Sequence, residues 1–500
     1  MSLENMVLPA LILIPLLGAI ITLFMGGKRQ KYALSVALVF TVITLVLSLL
    51  LMITNTGDLS KFDVNYEWIN AAGLKMSIIL KVDGLSILMV FLTALLEVLA
   101  IAFTYKETDR PHYFYALLLA IEVGLMGVYL SADYFLFYIM WEVSLIPMYF
   151  LISWYGGPRR HYAAIKFFIY THVASLVMLI GIFCLAFQAA NIAGTGVVDF
   201  SFEFVKQYIG SADKVFQALV FGLLFFGFMV KMPSVPFHTW LPDAHVEAPT
   251  AGSVLLAGVM LKMGSYGIIR VCIEALPQGA VQWQYIVVAI GIISMIYGAY
   301  ACIAQRDLKK MVAYSSISHM GLVMVSMGCL SQAGIEFAVF QMFAHGLISA
   351  MLFMVCGMAG HNIGTREIPL LGGLAVKMPL YATFMMFAFM ASLGLPGLIG
   401  FWGEFGIVYA FYDWCVDNDV IYLLVFCLLS LLLTAGYYLF AMQRVLFGRI
   451  TKKIDVEHVH DVDKIEAIAL SVVALLIVIY GVWPDLALGM IDLYSFPGVI

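Results

Sequence analysis

Short charged turns divide this sequence into apolar runs of about 20 residues, the length that carries an α-helix across the hydrocarbon layer of a membrane. The run "LSVALVFTVITLVLSLLLMI" at 34–53 holds no charge. It shows neither the alternation of a barrel strand nor the polar face of a soluble helix. Across 500 residues, 63% are hydrophobic and 11% charged, against roughly 25% charged in soluble domains. The chain therefore reads as an all-α polytopic membrane protein. A net charge of −5 implies no nucleic-acid partner. The seven cysteines stand singly and no CxxC occurs, so no iron–sulfur, haem or structural zinc site is expected. The opening MSLENM lacks a basic stretch, so the first run is expected to remain as a helix rather than be removed as a signal peptide.

About fourteen runs qualify, near 6–25, 32–53, 82–105, 112–130, 132–154, 162–190, 215–240, 249–270, 283–303, 308–330, 334–360, 378–414, 420–446 and 465–484. Basic residues gather in alternate loops: Lys28, Arg29 and Lys31; Lys106 and Arg110; Arg159 and Arg160; Arg306, Lys309 and Lys310; Arg366 and Lys377; and Arg444, Arg449, Lys452, Lys453 and Lys464. By the positive-inside rule these loops are cytoplasmic and both termini face outward. A count wrong by one helix would scramble the alternation. One outer segment, Lys61–Asp83, alternates Phe62, Val64, Tyr66 and Trp68 and then turns at Asn70–Gly73, which predicts a small β-hairpin.

Three pairs of residues share a spacing. His172 and His345 lie 173 positions apart, Asp133 and Asp307 lie 174 apart, and Lys231 and Glu404 lie 173 apart. Each of the last two stands beside a proline: Pro233 and Pro236, or Pro396. The spacing predicts two copies of a five-helix unit. Five is odd, so the copies would have opposite orientation, the arrangement of transporters whose ion sites lie at broken helices. The expected division is 1–110 (helices 1–3 with the hairpin), 111–275 (helices 4–8), 280–450 (helices 9–13) and 460–500 (helix 14). Interruptions are expected in helices 7 and 12.

Four ionisable residues fall well inside predicted spans: Glu142 in helix 5, Lys231 in helix 7, Lys262 in helix 8 and Glu404 in helix 12. Each charge costs roughly 2.5–3.5 kcal/mol at the membrane centre. A structural ion pair explains such residues in one reading, a proton relay in the other. Snorkelling to the headgroups suits Lys81 and Arg270 but not Glu142. A carboxylate close to a lysine keeps both charged, while burial apart favours the neutral forms, so a Glu–Lys pair that separates acts as a switch. His238, His319 and His345 are the expected secondary relay, since imidazole titrates near neutrality. His172 is either a further candidate or a hydrogen-bonded core residue. Glu97 and Glu122 lie beside neither a break nor a repeat position and are expected to be peripheral.

The stretches "KMPSVPFHTWLPDAHVEAPTAGSVLLAGVMLK", "DLKKMVAYSSISHMG" and "LPGLIGFWGEF" resemble the antiporter-like membrane subunits of respiratory complex I, which share their fold with Mrp-type sodium/proton antiporter subunits. The resemblance spans essentially the whole chain. It implies fourteen helices with inverted five-helix repeats and a coupled pair at Glu142 and Lys231. It also implies a central relay at Lys262 and an outward-facing group at Glu404. Most relatives are expected to carry lysine at that last position and the M-type glutamate. "FYIMWEVSLIPMYFLISW" is also M-type in character, and no long lateral helix of the L-type is expected. The resemblance implies a proton-translocating subunit of an NADH (or reduced deazaflavin) oxidoreductase that reduces quinone or a methanophenazine-type acceptor. No cofactor is expected on this chain; flavin and iron–sulfur clusters would sit in partner subunits, and redox chemistry with them. The expected neighbours are sister antiporter-like subunits and lipid, in a prokaryotic cell membrane. A multisubunit Na+/H+ antiporter subunit and a purely structural scaffold are the competing readings.

Overall fold

The computed structural model describes residues 4–54, 59–450, 459–494 and 496; Lys452 and Lys453 of the basic-loop pattern lie outside them. The helices follow the apolar runs: α1 (Val7–Leu23), α2 (Ala33–Ile53), α3 (Ile87–Phe103), α4 (Pro111–Leu130), α5 (Tyr134–Tyr155), α6 (Arg160–Ala193) and α7 (Lys214–Lys231, resuming as Trp240–Glu247). Then come α8 (Thr250–Ile273), α9 (Pro277–Ile303), α10 (Leu308–Gly328), α11 (Gln332–Ile363), α12 (Pro379–Ser392, resuming as Ile399–Asp417), α13 (Leu424–Leu446) and α14 (Lys464–Val482). Among the described residues twelve helices are long and apolar enough to cross a membrane. The other two of the fourteen depart for physical reasons. α3 has 17 residues, because the Asp83 carboxylate accepts the Leu85 and Ser86 amides in a turn that uses up the start of its run. α12 is split. α6, with 34 residues, is about 50 Å long and outruns a hydrocarbon core of about 30 Å.

Both interruptions appear where proline falls. In α7, Pro233 and Pro236 bring no amide to the helix, and the carbonyl of Val230 accepts the indole N–H of Trp240 instead (3.0 Å). In α12 the gap holds Gly394 (φ +75°) and Gly397 (φ +92°), left-handed turns on either side of Pro396. α8 stays helical but widens twice, over Leu256–Met260 and Ile268–Ile273, into π-helical turns, which recur at functional sites.

α8, α10 and α11 have nearly every residue buried, whereas α1, α2, α13 and α14 turn most of their apolar surface outward. Three of the helices that carry ionisable groups therefore form the middle of the bundle. Close approach comes from glycine. A Cβ on Gly264 of α8 would stand 2.7 Å from the Phe228 carbonyl oxygen and 2.8 Å from the Met232 amide nitrogen, so α8 lies directly against the broken end of α7.

The hairpin pairs β1 (Val64–Ala71) with β2 (Leu74–Leu80) across Ala72 and Gly73, both left-handed. A short β3 (Val198–Asp199), with no forerunner in the sequence pattern, adds in parallel to β2. Tyr66 and Trp68 are exposed; the buried strand is β2. Lys75 reaches Asp199 at 2.7 Å. Burial opposes the charge of the Asp199 carboxyl. The Lys75 ammonium and the Ser201 amide outweigh it and hold the group below the usual carboxylate range.

α4–α8 and α9–α13 are two successive sets of five long helices, each with its fourth helix broken. Asp133 caps α5 by accepting from the Phe135 and Leu136 amides, and Asp307 caps α10 by accepting from Lys310. Lys231 and Glu404 are not equivalent in the same way. Lys231 ends the first half of α7, whereas Glu404 lies inside the second half of α12. The two gaps are not separated by the offset that relates the two side chains, so each residue flanks its gap from the opposite side.

Candidate functional site

Lys262 sits at the centre of α8, fully buried. Its Nζ donates to the carbonyl of Ala257, in the first wide turn of its own helix, and meets His345 Nδ1 of α11 at 2.8 Å. His345 faces His319 of α10, with ring centroids 5.5 Å apart. His319 Nδ1 lies 3.4 Å from Glu404 Oε1 of α12 without being hydrogen-bonded to it. His319 Nε2 meets Ser392 Oγ at 3.3 Å. Ser392 donates to Tyr438 Oη (2.8 Å), which donates to Ser315 Oγ (3.0 Å). All these side chains are buried. One line of titratable groups thus crosses from the middle of α8 to the gap in α12, with a hydroxyl chain alongside.

The gap itself accommodates Glu404. A Cβ on Gly394 would stand 2.3 Å from Glu404 Oε2, so this residue needs glycine both for its left-handed backbone and for the carboxylate that occupies the space.

The second group centres on α5 and α6. Glu142 Oε2 lies 3.0 Å from His172 Nδ1, and Ser175 Oγ donates to Glu142 Oε1. His172 and Ser175 lie three apart on one face of α6, a spacing already present in the sequence. Glu142 and Lys231 stand apart in this structure: no carboxylate lies within 4.0 Å of the Lys231 Nζ among the described residues. Instead Lys231 occupies an aromatic slot, 5.4 Å from the Phe167 ring centroid and 5.7 Å from that of Trp141. The direct partners of Glu142 come from α6, which carries both His172 and Ser175. His238, just past the gap, packs edge-on against Tyr297 (4.8 Å). No hydrogen bond reaches either of its ring nitrogens among the described residues.

Two residues of this interior were missed in the sequence. His245 is fully buried, stacked on Phe353 at 4.3 Å, with no partner to its ring nitrogens among the described residues. Lys309, counted as part of a basic loop, is buried in the first turn of α10 and donates to the Ala248 carbonyl (2.6 Å). A lysine at a helix start looks the same in sequence whether the neighbouring loop covers it or not.

Arg270 corrects another expectation. It does not reach for the headgroups. Arg270 Nη2 meets Asp83 Oδ2 at 2.5 Å and Nη1 meets Glu274 Oε1 at 3.0 Å, and Tyr494 Oη donates to the same Glu274 oxygen. The guanidinium fork finds two carboxylates inside the protein. Lys81 is the exposed one, within 3.7 Å of Asp63 and 3.6 Å of Glu203.

Residues 131–451 match the family described as NADH:quinone oxidoreductase/Mrp antiporter, transmembrane. The F(420)H(2) dehydrogenase subunit M of Methanosarcina mazei is 39% identical over 485 residues, covering 96% of this chain and 95% of that protein. The NADH-quinone oxidoreductase subunit M of Escherichia coli is 38% identical over 498 residues, again covering 96% and 95%. Among solved structures, a chain of respiratory complex I from Thermus thermophilus with bound NADH superimposes with a TM-score of 0.85 at 26% identity, covering 98% of this chain and all of that one. A chain of the Mrp complex from Dietzia sp. superimposes with a TM-score of 0.84 at 20% identity, over 99% and 97% of the two chains; that likeness is one of fold.

Proposed function

The chain belongs to the NADH:quinone oxidoreductase/Mrp antiporter family of membrane subunits, and we propose that it carries protons through Lys262, His345, His319 and Glu404 within a redox-driven pump of the complex I type. It is a proton-translocating, antiporter-like subunit of a membrane oxidoreductase complex. The observation that carries the route is the succession of neighbouring titratable groups from Lys262 Nζ through the His345 and His319 rings to Glu404 Oε1, joined by one hydrogen bond, one ring contact at 5.5 Å and one approach of 3.4 Å.

When Lys262 is an ammonium it donates to His345 Nδ1, which makes that nitrogen the acceptor and leaves the ring proton on Nε2. Transfer from Lys262 to Nδ1 and release from Nε2 advances the proton by one imidazole. His319, with Nε2 at Ser392 and Nδ1 near Glu404, is oriented to pass it to the carboxylate. Glu142, His172 and Ser175 form the gate on the other side. When Glu142 leaves His172 for Lys231 it supplies the counter-charge that Lys231 lacks here. His238 stands at the α7 gap between these groups and water.

Electron transfer takes place in partner subunits, which hold the flavin and iron–sulfur clusters; this chain holds no cofactor. Its electron donor is NADH or F(420)H(2), the donors in the names of its relatives. Sister subunits flank it in a prokaryotic cell membrane, with both termini outside. The alternative, a subunit of an Na+/H+ antiporter, is disfavoured by Glu404, where that branch is expected to carry lysine. Mass spectrometry of the native complex decides between them. Cluster-binding partners support the pump, and small antiporter subunits without them refute it. Within the assembled complex, Lys262→Ala is expected to abolish proton movement into vesicles; normal pumping by that variant refutes the route.

A further inference from the structure

Beside the relay, α3 and α4 bury two more acids. Glu97 and Glu122 are 0% exposed, and none of their four carboxyl oxygens has a hydrogen-bond partner among the described residues. Other carboxylates in or beside the spans have a basic partner within 4.0 Å: Glu142 has His172, Asp83 and Glu274 have Arg270, Asp243 has Lys166 and Glu404 has His319.

The helix faces bring the two together. Gly124 and Gly127 of α4 lie against Ser144 and Met140 of α5. Glu122, two residues from Gly124 and so about 200° around the helix, faces away from α5, where α1, α2 and α3 pack on α4. On α3, Leu92 and Leu96 fill the space beside Gly346 and Gly258, the neighbours of His345 and of the Ala257 carbonyl. Glu97 is turned about 100° from Leu96 and bears electrostatically on Glu122. The leucines therefore part it from the relay by the thickness of one helix.

The surroundings decide what the pair holds. α1 and α2 bring no ionisable side chain. Tyr115 and Tyr129 of α4 donate to the Thr104 and Val259 carbonyls, and His112 lies at its start. Across α3, Lys262 and His345 bond each other, with Tyr266 and Arg270 further along α8 and Glu336 on α11. α14 brings Glu466 and Tyr480, and α5 brings Glu142, Tyr134 and Tyr138. Thr44 of α2 adjoins Glu122, but its hydroxyl proton goes to the Phe40 carbonyl (3.0 Å). In that rotamer Thr44 presents a lone pair to Glu122, which a protonated carboxyl can use. Two uncompensated carboxylates that act on each other inside the hydrocarbon would cost more than one alone. A hard divalent cation asks for about six oxygens, more than two carboxyls and a hydroxyl provide.

We propose that Glu97 and Glu122 form a second proton-holding site, a pair of protonated, exchangeable carboxyls set apart from the line that joins Lys262 to Glu404.

Infrared spectra of the purified, assembled complex test this, using the wild type, Glu97→Gln, Glu122→Gln and the double variant at neutral pH in H2O and D2O. Glutamine keeps the shape of each side chain. The wild-type minus double-variant difference is expected to contain a carboxylic-acid C=O band that moves down in D2O, with each single variant losing part of it. If the double variant does not assemble, the single variants carry the same readout. Absence of the band shows the groups ionised, and a band that ignores D2O shows sealed structural acids. A band removed by added Na+ at constant ionic strength shows a cation site. Any of these three results overturns the proposal. The central relay is not read by this difference, so its failure is seen separately in pumping.

Discussion

At the scale of the residue, burial separates charges that look alike in sequence. Lys262 and Arg270 stand on one helix, yet one meets an imidazole and the other two carboxylates. Lys262→Ala is expected to leave the complex assembled and silent. Arg270→Ala removes the guanidinium that Asp83 and Glu274 share and leaves Glu274 to Lys206 and Tyr494; less assembled complex on a native gel is the expected result. Lys81→Ala, at an exposed site, is expected to alter neither. Glu404→Ala is expected to come near to abolishing pumping, whereas Glu404→Lys keeps a titratable group and retains part of it. Wild-type stoichiometry in an assembled Glu404→Ala complex would show that protons leave elsewhere. Gly394→Ala asks an L-residue to hold φ +75° and puts a methyl group where Glu404 Oε2 lies. The backbone term is roughly 1–2 kcal/mol. A fall in pumping larger than the fall in thermal stability is the expected signature, and equal falls would mean the carboxylate is not displaced.

At the scale of the element, glycine sets how helices meet. Gly264 lets α8 touch the backbone of α7 at Phe228 and Met232, the residues on either side of the Lys231 turn. Gly264→Val is expected to push the two helices apart and cut pumping at least tenfold in whatever complex assembles, which vesicle assays measure directly. The hairpin is held differently, by the contact of Lys75 with Asp199 of β3. Asp199 is held below its usual range, so its contribution is present above the unfolded value of about 3.9 and fades as pH falls through the lower folded value. The Lys75 ammonium, raised chiefly by its bond to Asp199, contributes fully below about 10.4 and loses hold only above that. Lys75 is 40% exposed, so the pair is worth about 1 kcal/mol or less. Faster hydrogen exchange of the Val198 amide in Asp199→Asn at neutral pH, matching wild type in strong acid, is the expected outcome.

At the scale of the whole molecule, the most buried helices carry Lys262, His319 and His345, and the most exposed ones turn their apolar surface outward. The sequence by itself determined the spans, the two interruptions and the presence of costly ionisable groups. These follow from partition into lipid and from the missing amide of proline, properties local to each run. It also showed Lys262, His319, His345 and Glu404 as a set, because a charge or imidazole inside an apolar run needs no neighbour to be noticed. Partners were not legible. Glu142 bonds His172 and Ser175 rather than Lys231, Lys309 is buried instead of lying in a loop, and Arg270 stays inside. Each of those outcomes depends on how far a helix is rotated and how near the next one comes. That is decided by glycines such as Gly264 and Gly124 together with the side chains opposite them. The hydrophobic effect places a helix in the membrane without orienting it, and orientation came only when all the helices packed at once.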